Sequence, residues 1–354
     1  MKKVIFISAL AIAAAVSCTK SDIVDTKFNE AISFETYLGR DAQTKGSIIE
    51  NSNFTKAKVF GYYQGADKWN YTGELTDATL STVTANVYDA NTLTGTTSEG
   101  GVKTWAADVT RYWANDSDFY SFIAYAPETL TATPSSDPVI SYEVVETIGN
   151  HVDIIYANDL NRQKGDGSVD LTFHHALARL TVKATAQESP YTYHIKNITL
   201  SGDFNKTGSL RLATGEWTCP ETRVAANYVF ESNPAEVDVE NPGAFALAET
   251  PEGATEDVVT DFATDNEGQG YMMMIPTDFS CTNNPATLTV VYSTYDPVAK
   301  LESRDYTRTF NVATKFDAGF AYALQFNFAN TTSEITFDVT CEAWKVGEVT
   351  MTEN

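Results

Sequence analysis

Short apolar runs recur along the chain after residue 30, many of them alternating with polar positions, and are bounded by Gly, Asn, Asp or Pro. The clearest span residues 57–63, 119–126, 152–156, 177–184, 191–200, 286–295, 306–312 and 321–328. A period of two puts successive side chains on opposite faces of a strand. The Thr, Tyr, Phe and Val that dominate the chain suit a pleated, half-buried surface. Long segments with the 3.6-residue apolar period of a helix are missing. The pattern predicts an all-β protein of sandwich type.

Two regions depart from it. Residues 18–30 are polar and unpatterned and read as a tether. Residues 231–270, rich in Glu, Asp, Pro, Ala and Gly, read as an excursion within the second half of the chain. Strand signals become dense again at Phe173, just after Asp166 and Gly167. The expected division is a first domain over residues 31–170 and a second over 171–354, in line with roughly 100–200 residues per domain.

The first 17 residues have another character. Lys2 and Lys3 precede an apolar run from Val4 to Val16, too short to span a bilayer as a stable helix, which predicts a cleaved secretory signal. The ending Ala15, Val16, Ser17, Cys18 resembles the lipobox of bacterial lipoproteins. That resemblance implies acylation of Cys18, which would be the first residue of the mature chain and its anchor in outer-membrane lipid. No later apolar run approaches the ~20 residues needed to cross a bilayer.

Charge narrows the partners. The chain carries 24 basic and 47 acidic residues, a net of −23. Two of the basic residues lie in positions 1–17, so the remainder is at −25. Such a surface repels phosphate backbones and anionic headgroups, which argues against nucleic-acid binding. Cys219, Cys281 and Cys341 remain beyond Cys18 and are expected to be free, buried thiols behaving as small apolar groups, with one disulfide among them, in a pairing the sequence does not decide, as the alternative.

The sequence carries no recognisable catalytic or metal-binding pattern. His174 and His175 are adjacent, so a strand points them to opposite faces, and His151 and His194 lack carboxylate or Cys neighbours at ligand spacing. Asp159, Asp166 and Asp170 lack the ligand pattern of a calcium loop and read as a hairpin turn. GxSxG, HExxH, Walker and GxGxxG motifs are missing, so the expectation is a non-enzyme without metal or cofactor. Trp105, Trp113, Trp217 and Trp344 are expected in the core; Trp69, in the loop from Gly65 to Tyr71, is expected to be exposed.

Several segments taken in order resemble the fimbrillin family of Bacteroidetes, lipoprotein pilins of the type V pilus. They are residues 31–34, 43–46, 111–113 with 119–127, 173–182, 270–276, 318–324 and 339–344. The resemblance implies two tandem transthyretin-like β-sandwich domains. It also implies a cell-surface fimbrial subunit precursor that serves adhesion and has other pilin subunits as partners. In that scheme a trypsin-like or Arg/Lys-specific surface protease cuts behind the first strand, and a strand from another subunit fills the groove left behind.

The residues fit that scheme locally. Ile32 and Phe34 share one strand face, with Ser33 and Glu35 on the other, so a removable first strand would bury two apolar side chains. Ile335, Phe337, Val339 and Cys341 alternate with polar residues, and the region from them through Trp344 is the candidate donor strand. The position matching the processing site is Lys45, with Arg40 five residues earlier. Cleavage at Lys45, cleavage at Arg40 and an uncut anchor subunit all stand open, as does the alternative of a monomeric surface lipoprotein that binds glycans or host ligands.

Overall fold

The computed structural model describes residues 30–37, 49, 53–71, 85–97, 103–232, 246–262, 270–280, 284–329 and 335–344. Its N-terminal strands are β1 (Phe34–Tyr37), β2 (Lys56–Gly65), β3 (Tyr88–Thr97), β4 (Lys103–Ala107), β5 (Phe119–Ala126), β6 (Ala132–Thr133), β7 (Val139–Glu143), β8 (Ile155–Arg162), β9 (Val169–Thr172) and β10 (His174–His175). There follow β11 (Ala178–Gln187), β12 (Thr192–Phe204), β13 (Thr207–Arg211), β14 (Trp217–Thr218), β15 (Val224–Ser232), β16 (Glu249–Thr250), β17 (Val259–Asp261) and β18 (Met272–Met274). The last are β19 (Thr277–Asp278), β20 (Ala286–Asp296), β21 (Leu301–Glu302), β22 (Tyr306–Val312), β23 (Lys315–Phe316), β24 (Phe320–Phe328) and β25 (Ile335–Ala343). The protein is all-β, as the alternation predicted; β5 and β22 coincide with their apolar runs to the residue.

Eight strands form one sheet in the order β10-β8-β5-β2-β3-β4-β1-β9. Its central strands bury both faces, the reason β5 reads as a near-continuous apolar run. Tyr120, Phe122 and Ala124 face one core, with Ala57 and Val59 of β2, while Ile123 and Tyr125 face a second, with Phe60 and Tyr62. Phe34 of β1 and Trp105 of β4 join the first core with Phe122, so the far end of the sheet curls back over its own middle.

The second core is shared with the C-terminal half. Here a sheet ordered β16-β11-β24-β25 lies against one ordered β15-β12-β20-β21, with β22 also on β20 and with β17 and β18 also on β11. Aromatic rings fill the space between them: Phe328 of β24 is 4.3 Å from Tyr193 of β12 and 4.9 Å from Tyr292 of β20, centroid to centroid. A small sheet ordered β14-β13-β7-β6 joins the two halves, β7 pairing antiparallel with β13 from Thr207↔Glu143 to Arg211↔Val139.

Two local expectations need correction, and one region gains detail. Trp69 is half-buried, not exposed, packing 5.7 Å from Tyr62 and 6.0 Å from Tyr71. Its backbone is gripped from both sides by the Asn161 amide, which accepts from the Trp69 N–H at 2.8 Å and donates to its carbonyl at 2.9 Å. The thiols are free but not buried: Cys219 is half-buried and Cys341 exposed, and Cys281 lies outside the described residues. Within the acidic stretch 231–270, the described residues include two short strands, β16 and β17, on the edge of β11.

Candidate assembly site

Ile32 and Phe34 are 7% and 6% exposed, while Ser33 and Glu35 between and after them face solvent, as the alternation required. β1 is not an edge. On one side Phe34 pairs antiparallel with Trp105 of β4, and the approach to the strand continues that ladder, with the Ile32 N–H donating to Arg111 O at 2.8 Å and the Trp113 N–H to Glu30 O at 3.1 Å. On the other side β1 runs parallel to β9, in register from Phe34↔Val169 to Tyr37↔Thr172. The Val169 N–H donates to Ser33 O at 2.8 Å, and the Ser33 and Ser168 hydroxyls meet at 3.0 Å.

The apolar floor is aromatic. Phe34 meets Tyr88 at 5.5 Å and Phe122 at 5.8 Å, both edge-on, and Val169 and Leu171 of β9 belong to the same core. Burying a side chain of this size contributes about 1.5–3 kcal/mol. Withdrawing β1 would therefore expose an apolar slot walled by two rows of backbone donors and acceptors, which lone strands do not leave open in water. Spacing alone marked Ile32 and Phe34 but not the partners Trp105, Val169, Leu171 and Arg111. The alternation of Val169 and Leu171 with Asp170 was the one local signal for β9.

The turn between β8 and β9 supports one wall. The Asp159 carboxylate pairs with Arg162 at 2.7 Å and accepts the Asp170 N–H at 2.9 Å, which ties the two ends of the turn together. Burial holds the Asp159 carboxyl above the usual carboxylate range. Lys164 reaches Asp116 at 2.9 Å and Glu30 at 3.8 Å, and the hydrogen bond to Asp116 is the main cause of its raised pKa. Glu30 thus ties the entry to β1 to the β8–β9 turn.

The candidate donor lies at the other end of the chain. β25 pairs antiparallel with β24 from Phe320↔Ala343 to Phe328↔Ile335 and has no partner on its other edge among the described residues. Ile335, Phe337 and Val339 are half-buried against the second core, Phe337 stacking on Phe310 of β22 at 5.0 Å. Cys341 is exposed, and Trp344 is buried. Slot and donor are separate places in the monomer. Cys18, Arg40, Lys45 and residues 345–354 lie outside the described residues.

The histidines serve structure. His174 is exposed and His175 buried, opposite faces as adjacency dictates. His151 donates Nε2–H to Val145 O at 2.8 Å and accepts the Met273 N–H on Nδ1 at 2.9 Å, and burial lowers its pKa. His194 Nδ1 is 3.1 Å from the Glu302 carboxylate, a partner that linear spacing could not reveal. Among the described residues, no three His, Cys, Asp or Glu side chains gather as metal ligands, and no helix is long and apolar enough to cross a membrane.

Residues 50–344 match the fimbrillin-like family. The chain belongs to that family. No match to a curated protein reaches significance. Among solved structures, a fimbrial protein from Bacteroides vulgatus shares the fold at 15% identity, with a TM-score of 0.58, over 90% of this chain and all of that one. A fimbrilin from Porphyromonas gingivalis aligns at 10% identity, with a TM-score of 0.44, over 91% of this chain and 99% of that one. The fimbrillin-like match ends at Trp344, the last described residue, and β1 lies ahead of its start.

Proposed function

We propose that this chain is the precursor of a fimbrial subunit that acts in adhesion, is exported to the outer membrane on a lipid at Cys18, and assembles by strand exchange after proteolysis. The reading includes two tandem sandwich domains, divided near residue 170. A trypsin-like or Arg/Lys-specific surface protease cuts at Lys45 or Arg40, and β1 leaves with the released peptide. The slot between β4 and β9 then accepts a strand from the C-terminal region of another subunit.

The observation that carries this reading is the construction of β1. A short segment, Ile32 with the four-residue strand β1, puts two side chains into a core and is hydrogen-bonded on both sides, yet it is the first strand among the described residues, ahead of both candidate cut sites, so one cut separates it from the rest of the described chain. Membership in the fimbrillin-like family supports the same role.

The test uses the full chain without its first 17 residues and with Cys18→Ala to keep it soluble. Low-dose trypsin should produce a body beginning at Gly46 or Asp41, followed by ladders that survive mild detergent. Deleting residues 345–354, or Phe337→Asp in a protein shown to stay folded, should block the ladders. A cut, folded body that remains monomeric would overturn strand exchange. In cells, Cys18→Ala should abolish labelling by a fatty-acid analogue; retained labelling would overturn the lipid anchor.

A further inference from the structure

β25 is held unevenly. Along its length the inward side chains Ile335, Phe337 and Val339 are only half-buried, and Cys341 and Glu342 are exposed. Beyond its backbone ladder with β24, its firmest side-chain anchorage is at its end. The Trp344 N–H donates to Gly319 O at 2.8 Å, and the indole lies flat on the His175 imidazole, centroids 3.6 Å apart and planes 9° apart. The Arg179 guanidinium sits 5.1 Å from the same indole and 4.7 Å from the ring of Tyr271.

The imidazole is itself fixed from below. His175 Nδ1 faces the Asp153 carboxylate at 3.0 Å from Oδ2 and 3.2 Å from Oδ1, and Asp153 is fully buried. Among the described residues, the other group bonded to that carboxylate is the backbone N–H of Ile49, which donates to Oδ2 at 3.0 Å. A buried carboxylate depends on each of its donors, because a lost one is not replaced by water. Ile49 lies four residues after Lys45.

We propose that Ile49, Asp153, His175 and Trp344 form a latch that keeps the last strand docked in the precursor and is loosened by proteolysis at Lys45. The inference rests on the proposed processing and adds its regulation. Cutting there makes Ile49 the fourth residue of a new chain end, and chain ends fray. As the N–H withdraws, Asp153 loses a donor, the imidazole loses its fixed seat, and the flat contact under Trp344 weakens. The segment after Trp344 is then freed by the same cut that empties the slot of β1. Each link is a direct contact, so the coupling needs no long-range pathway.

Hydrogen exchange read by mass spectrometry tests the latch on the mature-length chain with Cys18→Ala. Amides of residues 339–344 are followed in uncut protein and in monomer isolated directly after trypsin, with the β12–β20 ladder as the fold control. Cutting is expected to speed their exchange about tenfold or more while the control stays protected. Ile49→Pro, which removes the donor N–H without a cut, should loosen the same amides, and Asp153→Asn should do so where the control shows it folded. Unchanged protection of residues 339–344 in both the cut chain and the Ile49→Pro chain overturns the latch, whether or not ladders form. Loosening without ladders leaves the latch standing and overturns assembly by strand exchange.

Discussion

Phe34 stands edge-on to Phe122, ring centroids 5.8 Å apart and planes at 90°, although three strands separate them in the sheet. The contact makes β1 part of a core and not an appendage of it. Phe34→Ala in the uncut chain should cost about 3–5 kcal/mol in urea unfolding, the usual price of truncating a buried Phe. Glu35→Ala, on the exposed face of the same strand, should change stability by less than about 0.5 kcal/mol.

His151 gives a pH dependence with a definite sign. Burial lowers its folded pKa below the ordinary value of 6.5, and the bonds it donates from Nε2 and accepts on Nδ1 suit the neutral ring. The unfolded chain therefore binds the proton first as pH falls. This contribution is complete above about 6.5 and is lost as pH falls toward the depressed folded value. Calorimetry should show Tm declining from pH 7 to pH 5, and His151→Gln, which can still donate and accept, should flatten part of that decline.

Gly215 follows β13 at φ +75°, and a Cβ built there would run into the hydroxyl and ring of Tyr156 on β8. Gly215→Ala should destabilise the protein by more than about 1–2 kcal/mol, the cost of the left-handed backbone alone. Adding Tyr156→Ala should recover the steric part and leave the backbone part. A double-mutant cycle by chemical denaturation separates them.

Cys341 and Cys219 should differ in reactivity. Cys341 is exposed, whereas Cys219 is half-buried and burial pushes its thiol pKa up. In a chain carrying Cys18→Ala and Cys281→Ala, an aromatic disulfide reagent at pH 8 should modify Cys341 about tenfold faster or more. Equal rates would contradict the exposure of the β25 end.

Local alternation carried as far as single strands. Residues 119–126 and 306–312 are legible because apolar side chains fill enough of their positions, and Ile32 with Phe34 needed only four residues to read. β3 is not, since Leu93 is the one fully buried aliphatic in a run of Asp, Asn, Thr and Gly, and its place is set by β2 and β4 on either side. Trp69 is half-buried where its loop position predicts exposure, because the group that holds its loop, Asn161, lies 92 residues away. Cys341 departs from its expected burial for a different reason. Alternation tells which face a residue takes but not whether anything covers that face. The slot of β1 shares this limit, for its walls come from residues near 105, 111 and 169, brought together only by the curl of the sheet.

The mixed pairing of β1 gives its slot a direction. One wall is antiparallel and the other parallel, so a replacement strand restores both ladders only when it runs the same way as β1; reversed, it would swap the character of each wall and break the register with β9. If assembly follows the proposed strand exchange, the incoming segment therefore restores both ladders in one orientation only. Because slot and donor are different surfaces, such contacts are heterologous, and repeated from subunit to subunit without closing they run head to tail. A polymer built from them is a vectorial thread, with an unfilled slot at one extremity and an unspent tail at the other, so growth and termination are chemically distinct events at opposite ends.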